Sequence, residues 1–210
     1  MNDLKRVLAL SLSAVFAIPV GAKPAARTSY SIDPQLSKIE IQVAKDGFLK
    51  AFGHDHLVSA VKYSGEIQFD SRKVEDSSVE FNVETASLKV IDPGESEKDR
   101  NEVQATMLGE QVLGATRYPQ IRFSSTNVKA GPSASQLAVE GGLTLHGVTK
   151  PMTIPVRFQV ADDGTIAADA EVSLLQSDFG ITPYKAAGGT VRVKDKLKLT
   201  FHIVAHKTVN

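Results

Sequence analysis

Apolar and polar residues alternate with a period of two along much of this chain. Ile39, Ile41 and Val43 alternate with Glu40 and Gln42, and Val79, Phe81 and Val83 with Glu80, Asn82 and Glu84. Met152, Ile154, Val156 and Phe158 alternate with Thr153, Pro155, Arg157 and Gln159. The clearest case is Leu197, Leu199, Phe201 and Ile203 set between Lys196, Lys198, Thr200 and His202. Side chains on a strand point to opposite faces in turn, so each run predicts a strand with one buried face. Weaker strand signals lie at Tyr30–Asp33, at Val61–Phe69 with a bulge or bend expected at Ser64-Gly65, and at Ile121–Phe123. Two more run through Leu137–Leu145, with Gly141-Gly142 permitting a sharp coil, and Ile166–Leu175.

Turn residues separate the strands: Asp70 to Asp76, Asp92-Pro93-Gly94, His146 to Pro151, and Asp162-Asp163-Gly164. One helix is predicted, over about residues 97–109. Ser96 stands as its N-cap with Asp99 three residues on, and Val103 and Met107 share a face at i, i+4 spacing. About eight strands at regular spacing with almost no helix predict a single all-β domain, an antiparallel barrel or sandwich. A barrel of this size either fills with side chains or keeps room for one small ligand.

The N-terminus stands outside this pattern. Lys5 and Arg6 precede an apolar run from Val7 to Val20, broken only by Ser11, Ser13 and Pro19, and Val20-Gly21-Ala22 offers small residues at a cleavage site. Residues 1–22 therefore read as a secretory signal peptide, with an uncleaved anchor as the alternative. Residues 23–29 read as a short leader, and residues 30–207 as the domain. The expected address is the periplasm, for a mature chain without a membrane span.

Charge and cysteine usage narrow the function. The 210-residue chain has a formal charge of zero, and removing Lys5, Arg6 and Asp3 with the signal leaves −1. No basic stripe is available for nucleic acid or for an acidic membrane surface. With no cysteine, disulfides, thiol nucleophiles, iron–sulfur clusters and Cys-based zinc sites are excluded.

Candidate chemistry concentrates in Gly47 to Val58, where Phe48, Lys50 and Phe52 precede His54-Asp55-His56. In an extended stretch His54 and His56 share one side, and such a pair can chelate zinc or copper once a third ligand arrives. His146, His202 and His206 are possible donors. Alternatively, Asp55 makes an Asx-type turn and the imidazoles cap strand ends. A third possibility is that they meet a ligand head group. His56 could also act as a base with Asp55 or Asp178 as its partner. However, the chain has no nucleophile elbow, no Gly-rich phosphate loop before a helix and no HExxH, so no catalytic residue is assigned. Lys196 and Lys198 read as a solvated or edge-protecting face, and Arg100 and Asn101 as helix residues near a cavity entrance.

Four ordered motifs carry a resemblance to a known family. Tyr30-Ser31-Ile32-Asp33-Pro34 with Ser37 to Ile41 looks like its opening strand, and Tyr118-Pro119-Gln120-Ile121-Arg122-Phe123-Ser124-Ser125 like its central one. Gly142 to Pro151 resembles its most recognisable segment, and Ser177-Asp178-Phe179-Gly180-Ile181 its late motif. Together they resemble the YceI-like family over about Tyr30 to Lys207. The resemblance implies a lipocalin-like antiparallel β-barrel with one short helix, exported and often dimeric. Such a barrel holds a long isoprenoid lipid, a polyprenyl phosphate or quinone, in an elongated apolar cavity. The expected cavity residues are Phe48, Phe52, Leu57, Phe81, Met107, Phe123, Leu145, Phe158, Phe179 and Phe201. The head-group candidates are Lys50, His54, His56, Tyr184 and Lys185. No cofactor other than bound lipid is expected. The alternatives are a metal-binding protein using His54 and His56, or a filled barrel acting as interaction partner of a membrane electron-transfer protein.

Overall fold

The structure, a computed structural model, describes residues 27–46, 55–186, 188 and 191–208. Twelve strands and one α-helix are defined among them. The strands are β1 (Thr28–Ile32), β2 (Lys38–Asp46), β3 (His56–Ser59), β4 (Tyr63–Phe69), β5 (Ser78–Glu84) and β6 (Lys89–Val90). The helix α1 (Glu97–Leu108) follows. After it come β7 (Gln120–Ala130), β8 (Gln136–Leu145), β9 (Val148–Val160), β10 (Ile166–Leu175), β11 (Lys185–Ala186) and β12 (Val191–Lys207).

All pairings are antiparallel, and the sheet closes on itself. Its order runs β1-β4-β5-β7-β8-β9-β10-β12, and β12 pairs back onto β1 through Ile32 opposite Ala205. This is an eight-stranded antiparallel barrel with one helix. Closure leaves no free edge in the ring, which is how an all-β chain avoids edge-to-edge association.

β12 is the strand on which the rest is arranged. One side pairs with β10 from Ile166 opposite Ala205 to Leu175 opposite Lys196. Its other side is shared, by β1 towards the C-terminus and by β2 from Arg192 to His202. The barrel is thus closed through β1 at one end and widens at the other into β2, β3 and β6. Lys198 lies within this doubly paired strand and meets Glu171 across the ladder at 2.9 Å. It decorates a solvated face and protects no edge.

The glycines mark places where backbones approach closely. β4 pairs with β5 without interruption through Gly65 opposite Phe81, so the bulge expected at Ser64-Gly65 does not form. A Cβ on Gly65 would meet Ile32 Cδ1 at 2.6 Å and the Glu80 carbonyl at 2.8 Å. The irregularity falls instead on β7, between Ser125 and Asn127, opposite Gly141 on β8. A Cβ on Gly141 would strike the Ser124 carbonyl and the Phe123 ring, neither of which can retreat. We expect Gly141→Ala to cost about 2–3 kcal/mol, the usual scale for overpacking, read as a lowered urea midpoint with an unchanged m-value.

The closed end is filled. Tyr30, Ile32, Phe69, Ile166 and Ala205 are buried together there, and the Phe69 and Phe158 rings meet edge to face at 5.5 Å. β9 pairs with β10 only as far as Val156, one residue past Pro155, which has no N–H to offer. Beyond that point Gln176 to Phe179 form a 3₁₀ turn between β9 and β12, tied to β12 through Asp195. That carboxylate accepts the Ser177 hydroxyl at 2.6 Å and the Ser177 N–H at 2.8 Å.

These Ser177 donors hold the Asp195 carboxyl below its ordinary value of 3.8, and the N–H groups of Arg72 and Lys73 do the same for Asp70. A depressed folded value stabilises the protein above the unfolded value, and that contribution is lost as pH falls through the folded one. Acid unfolding should accordingly set in below about pH 4. Asp195→Asn should lower stability at pH 7 and flatten that acid limb, as followed by circular dichroism.

Candidate functional site

The barrel is hollow. Large apolar residues on the inner faces of the strands are only half-buried, among them Phe81, Met152, Phe158, Leu197 and Phe201. An inward-facing phenylalanine keeps accessible surface only when it borders empty space. The space is a cavity of about 920 Å³, at the upper end of what small-molecule pockets reach. Its walls come from nearly every strand, because the period-two alternation of each strand sends the same chemistry inward. Ile39, Ile41 and Val43 represent β2, and Leu197, Leu199 and Phe201 represent β12.

Polar residues gather at the wide end. β2 finishes there at Lys45 and Asp46, β12 begins there, and Asp46 pairs with Arg192 at 3.1 Å. Tyr184, His56, and the segment Gly94 to Ser96 with Asp99 and Glu102 of α1 complete the rim. The cavity therefore has an apolar body and a polar mouth of mixed charge.

Helix α1 lies across the exposed edge of the sheet extension at that mouth. Gln104 makes the attachment: its side-chain oxygen accepts the Val90 N–H at 2.8 Å, and its amide donates to the Leu88 carbonyl at 2.7 Å. One side chain thus satisfies the β6 edge as a further strand would. Ser96 caps the helix by accepting the Asp99 N–H at 3.1 Å and donating its hydroxyl to the Asp99 carboxylate at 2.7 Å. Val103, Thr106 and Met107 turn towards the cavity. Arg100 is near the entrance, donating to the carbonyls of Asp92 and Glu95, whereas Asn101 is exposed.

Among the residues expected to line the interior, Phe81, Met107, Phe123, Leu145, Phe158 and Phe201 do so. Two do not. Leu57 lies between His56 and Val58, which both face the cavity, so the alternation of β3 turns Leu57 away. Phe179 belongs to the 3₁₀ turn after β10 and is buried with Leu143, Leu145 and Leu174 instead of facing the cavity. Of the head-group candidates, His56 and Tyr184 are at the rim. Lys185 is exposed on β11, one residue out of phase with Tyr184. Phe48, Lys50, Phe52 and His54 lie outside the described residues.

The described histidines other than His56 are engaged elsewhere. His202 meets Asp169 directly across the β10–β12 ladder at 2.8 Å, and His206 lies 3.3 Å from Asp33. His146 occupies a two-residue hairpin turn with φ of 51°, its ring 4.3 Å from that of Tyr118 and tilted 58° to it. His56 is different. Its Nδ1 lies 2.7 Å from Oδ2 of Asp92, whose side chain is 2% exposed and whose Oδ1 accepts the Leu57 N–H at 2.5 Å. That contact holds the imidazole ring in one orientation. The partner of His56 is therefore Asp92, and neither Asp55 nor Asp178. Asp55 instead accepts the Lys45 N–H at 3.1 Å, tying β2 to the start of β3 and making no Asx turn. Sequence reasoning missed Asp92 because it stands before Pro93-Gly94, where an acid reads as a turn residue.

The family model described as the YceI-like domain matches residues 30–205. The chain belongs to the YceI-like family. A protein of the UPF0312 group from Vibrio cholerae is 32% identical over 183 residues, covering 84% of this chain and 88% of the relative. Among solved structures, BcnA of Burkholderia cenocepacia superposes with a TM-score of 0.67 at 22% identity, over 83% of this chain and 99% of that one. A structure from Saccharophagus degradans, described as a polyisoprenoid binding domain, superposes at 0.62 with 11% identity, over 87% and 100%. At such identities these two structures establish a shared fold. Among the described residues, no helix is long and apolar enough to cross a membrane.

Proposed function

We propose that this protein is an exported carrier or store for a long isoprenoid-type lipid, a polyprenyl phosphate or a quinone, and performs no covalent chemistry on it. The observation that supports this most is the unfilled interior, apolar over most of its wall and with polar residues gathered at the mouth. An isoprenoid tail has no hydrogen-bonding groups, so it gains only from apolar area, at roughly 25 cal/mol per Å² removed from water. A cavity whose wall is mostly apolar matches that requirement and disfavours a polar ligand, which would lose its hydration with little replacement. The polar rim supplies the few groups a head would need. Membership of the YceI-like family and the fold shared with a described polyisoprenoid binding domain point the same way. The N-terminal signal pattern supports a periplasmic address.

The reading is tested by displacement. Delipidated protein spanning residues 23–210 is loaded with a fluorescent apolar probe and titrated with isoprenoid alcohols and quinones of increasing length. Displacement that strengthens with tail length, and none by the free head-group fragments, is the expected result. Displacement by the head fragments alone, or no probe uptake at all, would count against it.

A further inference from the structure

Three side chains at the rim come together for a reason that an apolar tail does not supply. His56 starts β3, Asp92 sits in the turn after β6, and Glu95 precedes α1. Each brings one metal-ligating atom to a common point, with all three atoms within 4.8 Å of one another. The two carboxylates face one imidazole, and among the described residues neither has a lysine or arginine partner. The nearby Arg100 is committed to main-chain carbonyls. Glu95 Oε2 is shut off from solvent and has no hydrogen-bond partner. A carboxylate oxygen in that state calls for a proton or a cation.

We propose that His56, Asp92 and Glu95 form a binding site for one divalent transition-metal cation of the zinc type. The donor set, one imidazole nitrogen and two carboxylate oxygens, is the borderline mixture that zinc accepts with three protein ligands and an open position. Metal–ligand distances of about 2.0–2.2 Å place neighbouring donors roughly 3–3.5 Å apart. His56 Nδ1 and Asp92 Oδ2, at 2.7 Å, need to part by only a few tenths of an ångström. The cation takes the place of the hydrogen between them, the imidazole staying neutral with its N–H on Nε2, and Glu95 closes the third side. Asp92 is held meanwhile by the Leu57 N–H on its other oxygen, the kind of outer contact that orients a ligand. His56 and Glu95 both border the cavity, so the site lies at its mouth. This site stands independently of the lipid proposal.

Zinc titration of the untagged protein, stripped of metal by a chelator, tests the assignment by calorimetry at pH 7. His56→Ala and Glu95→Gln are the informative variants, because both side chains are partly exposed and their loss leaves the core intact, whereas Asp92 is buried. The expected result is one site per chain, weakened at least tenfold by either substitution and unchanged in His202→Ala, which removes a histidine–aspartate pair on the outer face. Zinc should also raise the melting temperature of the wild type and of His202→Ala, but not of the other two. No binding up to millimolar zinc, or binding that both His56→Ala and Glu95→Gln leave intact, would overturn it.

Discussion

Phe201→Asp will empty the cavity and leave the barrel folded. Phe201 sits in the middle of β12, opposite Ala170 on one side and Ile39 on the other, with its ring directed inward. Its aromatic face is part of the surface a lipid tail would cover. With the cavity empty, the new carboxylate is hydrated by water inside it, so the apo barrel loses only apolar packing, about 2–3 kcal/mol for a half-buried ring. A tail that entered would have to strip that carboxylate of water and offer nothing in return. The cost is several kcal/mol, enough to weaken binding at least a hundredfold. Thr200→Asp, one residue away on the outer face, should bind as the wild type does. Lipid recovered from each purified variant by solvent extraction is the readout. Undiminished lipid in a folded Phe201→Asp protein would remove β12 from the binding surface.

The second large effect concerns stability. Asp92→Ala should lower it by about 3 kcal/mol, a fall in melting temperature of roughly 6–12 °C for a domain of this size. The buried carboxylate satisfies the Leu57 N–H and anchors His56, and alanine leaves both without a partner. Asp92→Asn keeps an oxygen for the Leu57 N–H, so its loss should be about half as large. Thermal unfolding by circular dichroism measures both. A loss below about 0.5 kcal/mol in Asp92→Ala would mean that the rim does not depend on this contact.

Much of the fold was legible because strands write their geometry into the chain as alternation. Leu197 to Ile203 and Met152 to Phe158 carry that pattern unbroken, and Phe158 and Phe201 face the cavity accordingly. Leu57 failed for a specific reason. The sequence before it shows no apolar–polar alternation, so nothing set the phase of β3, and a slip of one residue exchanges inside for outside. Phe179 failed because a 3₁₀ turn ends the alternation at Leu175. Closure of β12 onto β1 joins residues at opposite ends of the chain, and nothing local announces it. Whether the barrel is filled or hollow depends on how far its walls stand apart, which the residue types leave open. The pairing of His56 with Asp92 spans 36 positions and brings together two segments that read separately as loops.

Native mass spectrometry of the protein, expressed from its full sequence and purified gently, tests the central claim most directly. The account predicts a complex heavier than the chain by the mass of an isoprenoid lipid or quinone, released on denaturation and missing from Phe201→Asp. A wild-type chain that is repeatedly free of bound lipid, and that takes up none when the lipid is supplied, would contradict it.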